Sequence, residues 1–344
     1  MIAGRVPAHP PPADRATVRR IAGAVAAAAT LLAGIAAPAV HAQGRGPGGY
    51  PAKPVRLVTA GVPGGTTDIV ARVVSPRWAE ELGQTVLIDN RAGAAGLIAR
   101  DVVARAAPDG YTLLMTNQAI VFAAALHPAG AEGLARDFAA VAWLGVSPNM
   151  LVANTALPAR TVGELVSLLR SREVGYASGG VGSSTHVAME LFLRTTGARA
   201  LHVPYKSAGA GITDVVAGHV HFMISTLPAA LPYVRNGKLR AIALTGAQRS
   251  PALRDLPTLA EVGVRGYLFD TWYGIFGPAS LPVANVNWIN GTVNRSLADG
   301  TLRERLGESG VDAGTGTPEF FRRMVREDVS RWTRAMKDIG IRPE

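Results

Sequence analysis

Two short stretches share one design, and together they restrict the fold more than any other feature of the sequence. Gly61-Val62-Pro63-Gly64-Gly65-Thr66-Thr67-Asp68 lies between the apolar run Val55–Thr59 and an amphipathic run that begins at Ile69. Ser178-Gly179-Gly180-Val181-Gly182-Ser183-Ser184-Thr185-His186 follows Val174-Gly175-Tyr176 and precedes the periodic Val187–Phe192. Each reads as a strand, a Gly-rich turn and a helix N-terminus. Glycine allows a tight turn and close approach of backbone to a ligand. The first helical N–H groups have no acceptor within the helix and form a site for an anion. Two such cradles predict a chain that grips an acid from both sides.

The 344 residues suit two domains, and 48% hydrophobic against 17% charged residues supplies real cores. The net charge of +10 raises the possibility of a nucleic-acid partner. The arginines are scattered and never interleave with aromatic residues as a block, so nucleic acid is not expected. Arg5, Arg15, Arg19 and Arg20 precede an Ala-rich apolar run from Ile21 to Val40 that ends Val40-His41-Ala42. This pattern predicts a secretory signal cleaved after Ala42 rather than an anchor. Its removal takes away four arginines and Asp14, leaving 31 basic and 24 acidic residues, a net +7. No cysteine is present, which excludes thiolate metal sites, a cysteine nucleophile and a lipidated N-terminal cysteine. The expectation is a soluble periplasmic chain.

Alternating strands and helices from Tyr50 onward predict an α/β fold with a mostly parallel sheet. The first helix is expected over Asp68–Leu82, with Ile69, Val70, Val73, Val74 and Trp78 on one face and Pro76 kinking or splitting it. Val141–Leu144 and Met150–Ala153 are expected as two strands flanking Ser147-Pro148. Thr161-x-x-Glu164 and Thr258-x-x-Glu261 are expected to be capping boxes. Thr317 and Pro318 open a long C-terminal helix whose apolar stripe runs from Phe321 to Ile339.

Several ordered segments carry a family resemblance. They include Tyr50–Val58, Pro63–Asp68, Asp89–Gly96, Ala107–Leu113, Gly182–His186, Val203–Lys206, Gly237–Ala241 and Leu256-Pro257-Thr258. The sequence resembles the extracytoplasmic solute receptors of tripartite tricarboxylate transporters, the Bug receptors, over essentially the whole mature chain. The resemblance implies a two-lobed, type II-like periplasmic binding protein fold with a ligand cleft between the lobes. The lobes would be 43–146 with 273–344, and 147–272. It also implies a small carboxylate ligand, such as a di- or tricarboxylate or an aromatic acid, and the permease subunits of a membrane transporter as partners. The receptor itself would be a monomer with no cofactor, no metal and no catalysis. The ligand would be held largely by backbone N–H groups and waters at Gly64, Gly65 and Thr66 in one lobe and Gly182, Ser183, Ser184 and Thr185 in the other. Asn117, after a strand end, and Thr226 join this expected set, while Asp68 and His186 are expected to be structural at the site. Two features depart from the family pattern. Ser225 stands where an acid is common before Leu227-Pro228, which argues against an amino-acid ligand. The first cradle reads Ala60-Gly61-Val62-Pro63, where Phe and paired prolines are usual.

Other chemistry fits these residues less well. Pro63–Asp68 is no P-loop, since no Gly-Lys-Ser or Gly-Lys-Thr follows it. Ser183, Ser184 and His186 suggest a secreted serine hydrolase, but they miss the Gly-x-Ser-x-Gly spacing. His219 and His221, with His202, have strand spacing for a metal but lack nearby carboxylates, and solvated histidines are expected instead. Lys206 and Arg91 are placed either in the cleft or at the surface. Trp272 and Tyr273 are placed either at the cleft or hinge, or in simple packing. A ligand-sensing subunit for a membrane kinase would share the same binding lobes.

Overall fold

A computed structural model describes residues 45–93, 96–126 and 130–341. The predicted leader, its cleavage point at Ala42, and Ala94-Ala95 of the third Gly-rich turn lie outside the described residues. In chain order, β1 (Val55–Thr59) leads through the first cradle into α1 (Thr66–Leu82). Next come β2 (Val86–Asn90), α2 (Leu97–Ala104), β3 (Thr112–Asn117), α3 (Ala119–Leu126), α4 (Gly130–Asp137) and β4 (Phe138–Asn154). The chain continues through α5 (Val162–Ser171), β5 (Gly175–Ser178), α6 (Ser184–Thr196), β6 (Leu201–Pro204), α7 (Ala208–Ala217), β7 (Phe222–Thr226), α8 (Leu227–Arg235) and β8 (Leu239–Leu244). It closes with β9 (Asp270–Pro278), α9 (Val283–Ala298), α10 (Gly300–Glu308), β10 (Asp312–Ala313) and α11 (Pro318–Asp338).

One strand organises the sheet. The 17-residue β4 replaces the two short strands expected around Ser147-Pro148. Its Phe138–Pro148 portion pairs with β9, and its Asn149–Asn154 portion pairs with β7 and β8. On one side the order is β2-β1-β3-β9-β4, and on the other it is β4-β7-β5-β6. The sheet is parallel in its arms (β1 with β2 and β3; β5 with β6 and β7) and antiparallel wherever β4 or β9 takes part. The expected mostly parallel sheet is therefore mixed. Strand–helix alternation reports the parallel arms, but it carries no sign of two long strands that return in the opposite sense.

Helix α1 runs unbroken through Pro76. That proline lies on the exposed side, where water can take the carbonyl left without its donor. Its buried face is Val70, Ala71, Val74, Trp78 and Leu82, one step round from the expected stripe. The fully buried Trp78 donates from Nε1 to Thr292 Oγ1 of α9 at 2.9 Å. Burying a large side chain of this kind contributes about 1.5–3 kcal/mol. Gly83 ends the helix in the left-handed region at φ 64°. The capping box at Thr161 and Glu164 opens α5: Thr161 Oγ1 accepts from the Glu164 N–H at 3.2 Å. At Thr258 and Glu261 reciprocal bonds form (2.7 and 3.2 Å) but close a turn, with no helix behind it, whereas the Glu164 carboxylate accepts from the Arg160 N–H.

The C-terminal helix α11 buries Phe321, Val325, Val329, Trp332 and Met336, as its stripe predicts. It is also pinned by one carboxylate. Asp328 Oδ2 accepts from Trp272 Nε1 of β9 at 2.8 Å and from Gln118 Nε2 at the end of β3 at 3.1 Å. Trp272 is thus a packing residue tied to this helix.

Candidate functional site

Five helices begin at one cavity. Its walls include Gly65 and Thr66 at the start of α1, Gly96 before α2, and Asn117 and Ala119 at the start of α3. They also include Ser183, Ser184 and Thr185 at the start of α6, and Ser207 and Ala208 at the start of α7. The cavity holds about 110 Å³, below the 300–1,000 Å³ of drug-sized sites, so it matches a small ligand. Each helix N-terminus presents about half a positive charge and unpaired N–H groups. Five of them around one space make it strongly favourable for an anion.

The first cradle is braced from behind. Asp68, 1% exposed, accepts from the Gly64 N–H at 2.8 Å, from Asn90 Nδ2 at 3.0 Å and from Arg72 Nε at 2.8 Å. Burial would raise its carboxyl, but the bonds from Arg72, Gly64 and Asn90 outweigh burial and hold it below the usual carboxylate range. The Gly64 amide is thereby occupied, and the Gly65 N–H is taken by the Val62 carbonyl at 2.9 Å. A turn this tight uses its own amides to hold its shape. The Thr66 and Thr67 N–H groups at the start of α1 have no acceptor among the described residues, and both residues line the cavity. Gly64 sits at φ 74° and outside the cavity wall.

The second cradle follows the same rule. Gly182 N–H donates to His186 Nδ1 at 3.1 Å, and Ser183 N–H donates to the Gly180 carbonyl at 3.1 Å. Ser183 caps α6 by accepting from the His186 N–H at 3.3 Å, and Thr185 Oγ1 accepts from the Gly179 N–H at 2.8 Å. The Ser184 and Thr185 N–H groups remain free at the start of the helix, and the Ser184 hydroxyl makes no hydrogen bond among the described residues. Behind the cradle, the His186 ring stacks on His202 at 4.1 Å between centroids, and His202 stacks on Tyr176 at 4.9 Å. Burial first, and then the neighbouring His202, push the His186 imidazole down to about 4. His202 is likewise lowered by burial, and its Nε2 meets Ser178 Oγ at 2.6 Å. It is therefore not the solvated residue expected. No group of three metal-binding side chains occurs among the described residues. The hydrolase arrangement would need the His186 ring to face a serine hydroxyl; here its Nδ1 holds a backbone amide and its face is covered.

The remaining expected residues divide between wall and support. Asn117 lines the cavity and caps α3, its Oδ1 accepting from the Ala119 N–H at 3.0 Å. Thr226, which ends β7, lies off the cavity wall but shares a hydrogen bond with the Thr66 hydroxyl. Lys206 lines the cavity, whereas Arg91 pairs with Asp89 at 3.0 Å on the surface. The sequence reading missed the start of α7, and it also missed Arg100 of α2, which lines the cavity. Ser207 carried a readable signal, since it stands three residues before Ala210 as an N-cap, accepting from its N–H at 3.2 Å.

This architecture is that of a periplasmic binding protein: an α/β fold whose two sheet portions share long strands. More narrowly, the chain belongs to the tripartite tricarboxylate transporter receptor family, whose model matches residues 70–341. It is 32% identical to Protein BugT of Bordetella pertussis over 90% of this chain and 94% of that one. It is 31% identical to a UPF0065 protein from the tcbD-tcbE intergenic region of a Pseudomonas strain, over 85% and 88% of the two chains. Among solved structures, R. palustris Rpa4515 with adipate superposes with a TM-score of 0.82 at 35% identity, covering 86% of this chain and all of that one. R. palustris MatC with bound malate gives 0.76 at 31% identity, over 83% and 99%. Among the described residues, no helix is long and apolar enough to cross a membrane.

Proposed function

We propose that the chain captures a small carboxylate in the periplasm and delivers it to the permease subunits of a tripartite tricarboxylate-type transporter. The observation that carries this reading is the convergence of five helix N-termini on one small cavity, with free N–H groups at Thr66, Thr67, Ser184 and Thr185. One carboxylate oxygen would accept from the α1 amides and the other from the α6 amides. Binding from both halves of the sheet would favour the closed form. The Ser184 hydroxyl adds a second kind of donor. Adipate and malate in the related structures support a short dicarboxylate, and the cavity volume is in keeping with one. The leader ending at Ala42 would carry the chain out of the cytoplasm, and the mature receptor would act as a monomer without a cofactor.

Thermal unfolding of the chain from Gln43 tests this directly, against citrate, C4 to C6 diacids, acidic amino acids, aromatic acids and neutral sugars. A ligand at 100 times its Kd stabilises by about 2.7 kcal/mol. A shift of roughly 5 °C or more with one class of acid, and none with sugars, is expected. A shift with sugars and none with any acid would refute the reading.

A further inference from the structure

Glycine costs a helix more than alanine does, so a glycine inside one calls for a reason. Helix α7 holds two, Gly209 and Gly211, both with ordinary helical backbone. Gly211 is explained within its own side of the sheet, where a Cβ would meet Ala177 Cβ of β5 at 3.2 Å. Gly209 is not. Outside its own helix, a Cβ there would meet Val62 Cγ2 at 3.1 Å and then only Ser207 Oγ at 3.9 Å. Val62 belongs to the first cradle, on the β2-β1-β3-β9-β4 side, whereas α7 runs between β6 and β7 on the other side. Both residues line the cavity. The Val62 side chain also lies over the cradle, since a Cβ on Gly65 would meet Val62 Cγ2 at 3.5 Å. A half-buried isopropyl group thus takes up the space of a side chain missing across the cavity.

Resting on the carboxylate reading above, we infer that Val62 and Gly209 form the specificity-determining pair that sets how bulky an acid the cavity accepts. The α1 and α6 amides act on carboxylate oxygens and do not sense what branches from the ligand's carbon chain. Val62 supplies that discrimination by meeting bare Gly209, because closely packed groups give way only at a cost. A side chain at position 209 pushes the two sheet portions apart and weakens the grip on every acid. A smaller side chain at position 62 leaves room for a branch.

The test is isothermal titration of two parent acids, succinate and adipate, each with its methyl- and phenyl-substituted forms. These are run on wild type, Val62→Ala, Gly209→Ala and the double variant, with Tm measured on each unliganded chain. For wild type the phenyl form is expected to bind about 10-fold or more weakly than its parent, and Val62→Ala narrows that gap about 3-fold or more. Gly209→Ala is expected to weaken the parent acids about 3- to 30-fold. Its Tm stays at or above that of wild type, because alanine suits a helix better. The double variant returns to within about 3-fold of Val62→Ala, since the two changes act on one contact. An unchanged gap in Val62→Ala overturns the role of this pair and leaves the carboxylate reading standing. So does parent-acid binding by Gly209→Ala as tight as wild type, a loss of its Tm along with its binding, or a double variant no better than Gly209→Ala. Failure of wild type to bind either parent also overturns the pair, and failure to bind any acid overturns the carboxylate reading as well.

Discussion

The hydroxyls of Thr66 and Thr226, 160 positions apart, share a hydrogen bond. Thr66 opens α1 beside the first cradle, and Thr226 ends β7, which pairs with the far portion of β4. The bond therefore ties the two sheet portions together at the edge of the cavity. Val62 and Gly209 approach each other across the same boundary, where a Cβ on Gly209 would meet Val62 Cγ2 at 3.1 Å.

The bond joins the two sheet portions, so Thr226→Val should loosen their contact. We expect a 2- to 10-fold loss of ligand affinity, equivalent to a net hydrogen bond of about 0.5–1.5 kcal/mol, and mostly as faster release. Stopped-flow dissociation of a bound diacid measures it. Unchanged release would show that the bond does not latch the cavity.

Asp68 is the brace of the first cradle. Asp68→Ala removes the charged acceptor shared by the Gly64 N–H, Asn90 and Arg72, and a hydrogen bond to a charged group is worth about 1.5–3 kcal/mol. The variant should unfold at lower urea and bind a carboxylate at least 10-fold more weakly. A variant that loses stability but binds as wild type does would separate the brace from the cradle.

Stability should fall with pH below neutrality. His186 has an ordinary imidazole value of 6.5 when unfolded and about 4 when folded. Between these values the unfolded chain binds more protons, so stability is fully present above about 6.5 and is lost as pH falls toward 4. The slope reaches about 1.4 kcal/mol per pH unit for this one group. Asp270, raised by burial and by Asp312, works in the opposite sense. Asp68 and Asp89, held below 3.8, add their losses at lower pH still. Urea titrations at pH 7, 5.5 and 4.5 on wild type and His186→Gln test this. The glutamine can still accept from the Gly182 N–H, and its pH slope should be flatter. Equal slopes would remove His186 as the cause.

Asp328 should matter for stability and not for ligand choice. Asp328→Leu strands the Trp272 and Gln118 donors inside the core and should cost about 3 kcal/mol, or roughly 6 °C in Tm. Its ranking of carboxylates should match that of wild type in the same panel.

Much of this molecule was readable before the structure. The Gly-rich turns, the Gly83 stop, the Thr161 box and the Thr317-Pro318 start all depend on local backbone chemistry, and the chain carries that chemistry openly. The long β4 was not readable, because Ser147-Pro148 looks like a break while its pairing with β9 and β7 comes from residues 69 or more positions away. The cradles were readable as places but not as donor sets. Gly64 and Gly182 spend their amides on Asp68 and His186, and only tertiary geometry decides which N–H groups are left over.

The central claim is that amides from two separate helix starts hold one carboxylate, and amide NMR tests it most directly. A 15N-labelled chain from Gln43 would be titrated with adipate, following the Thr66, Thr67, Ser184 and Thr185 resonances. The account predicts downfield proton shifts at both helix starts with one common Kd. Binding of adipate with both pairs unmoved, or with only one pair responding, would contradict it.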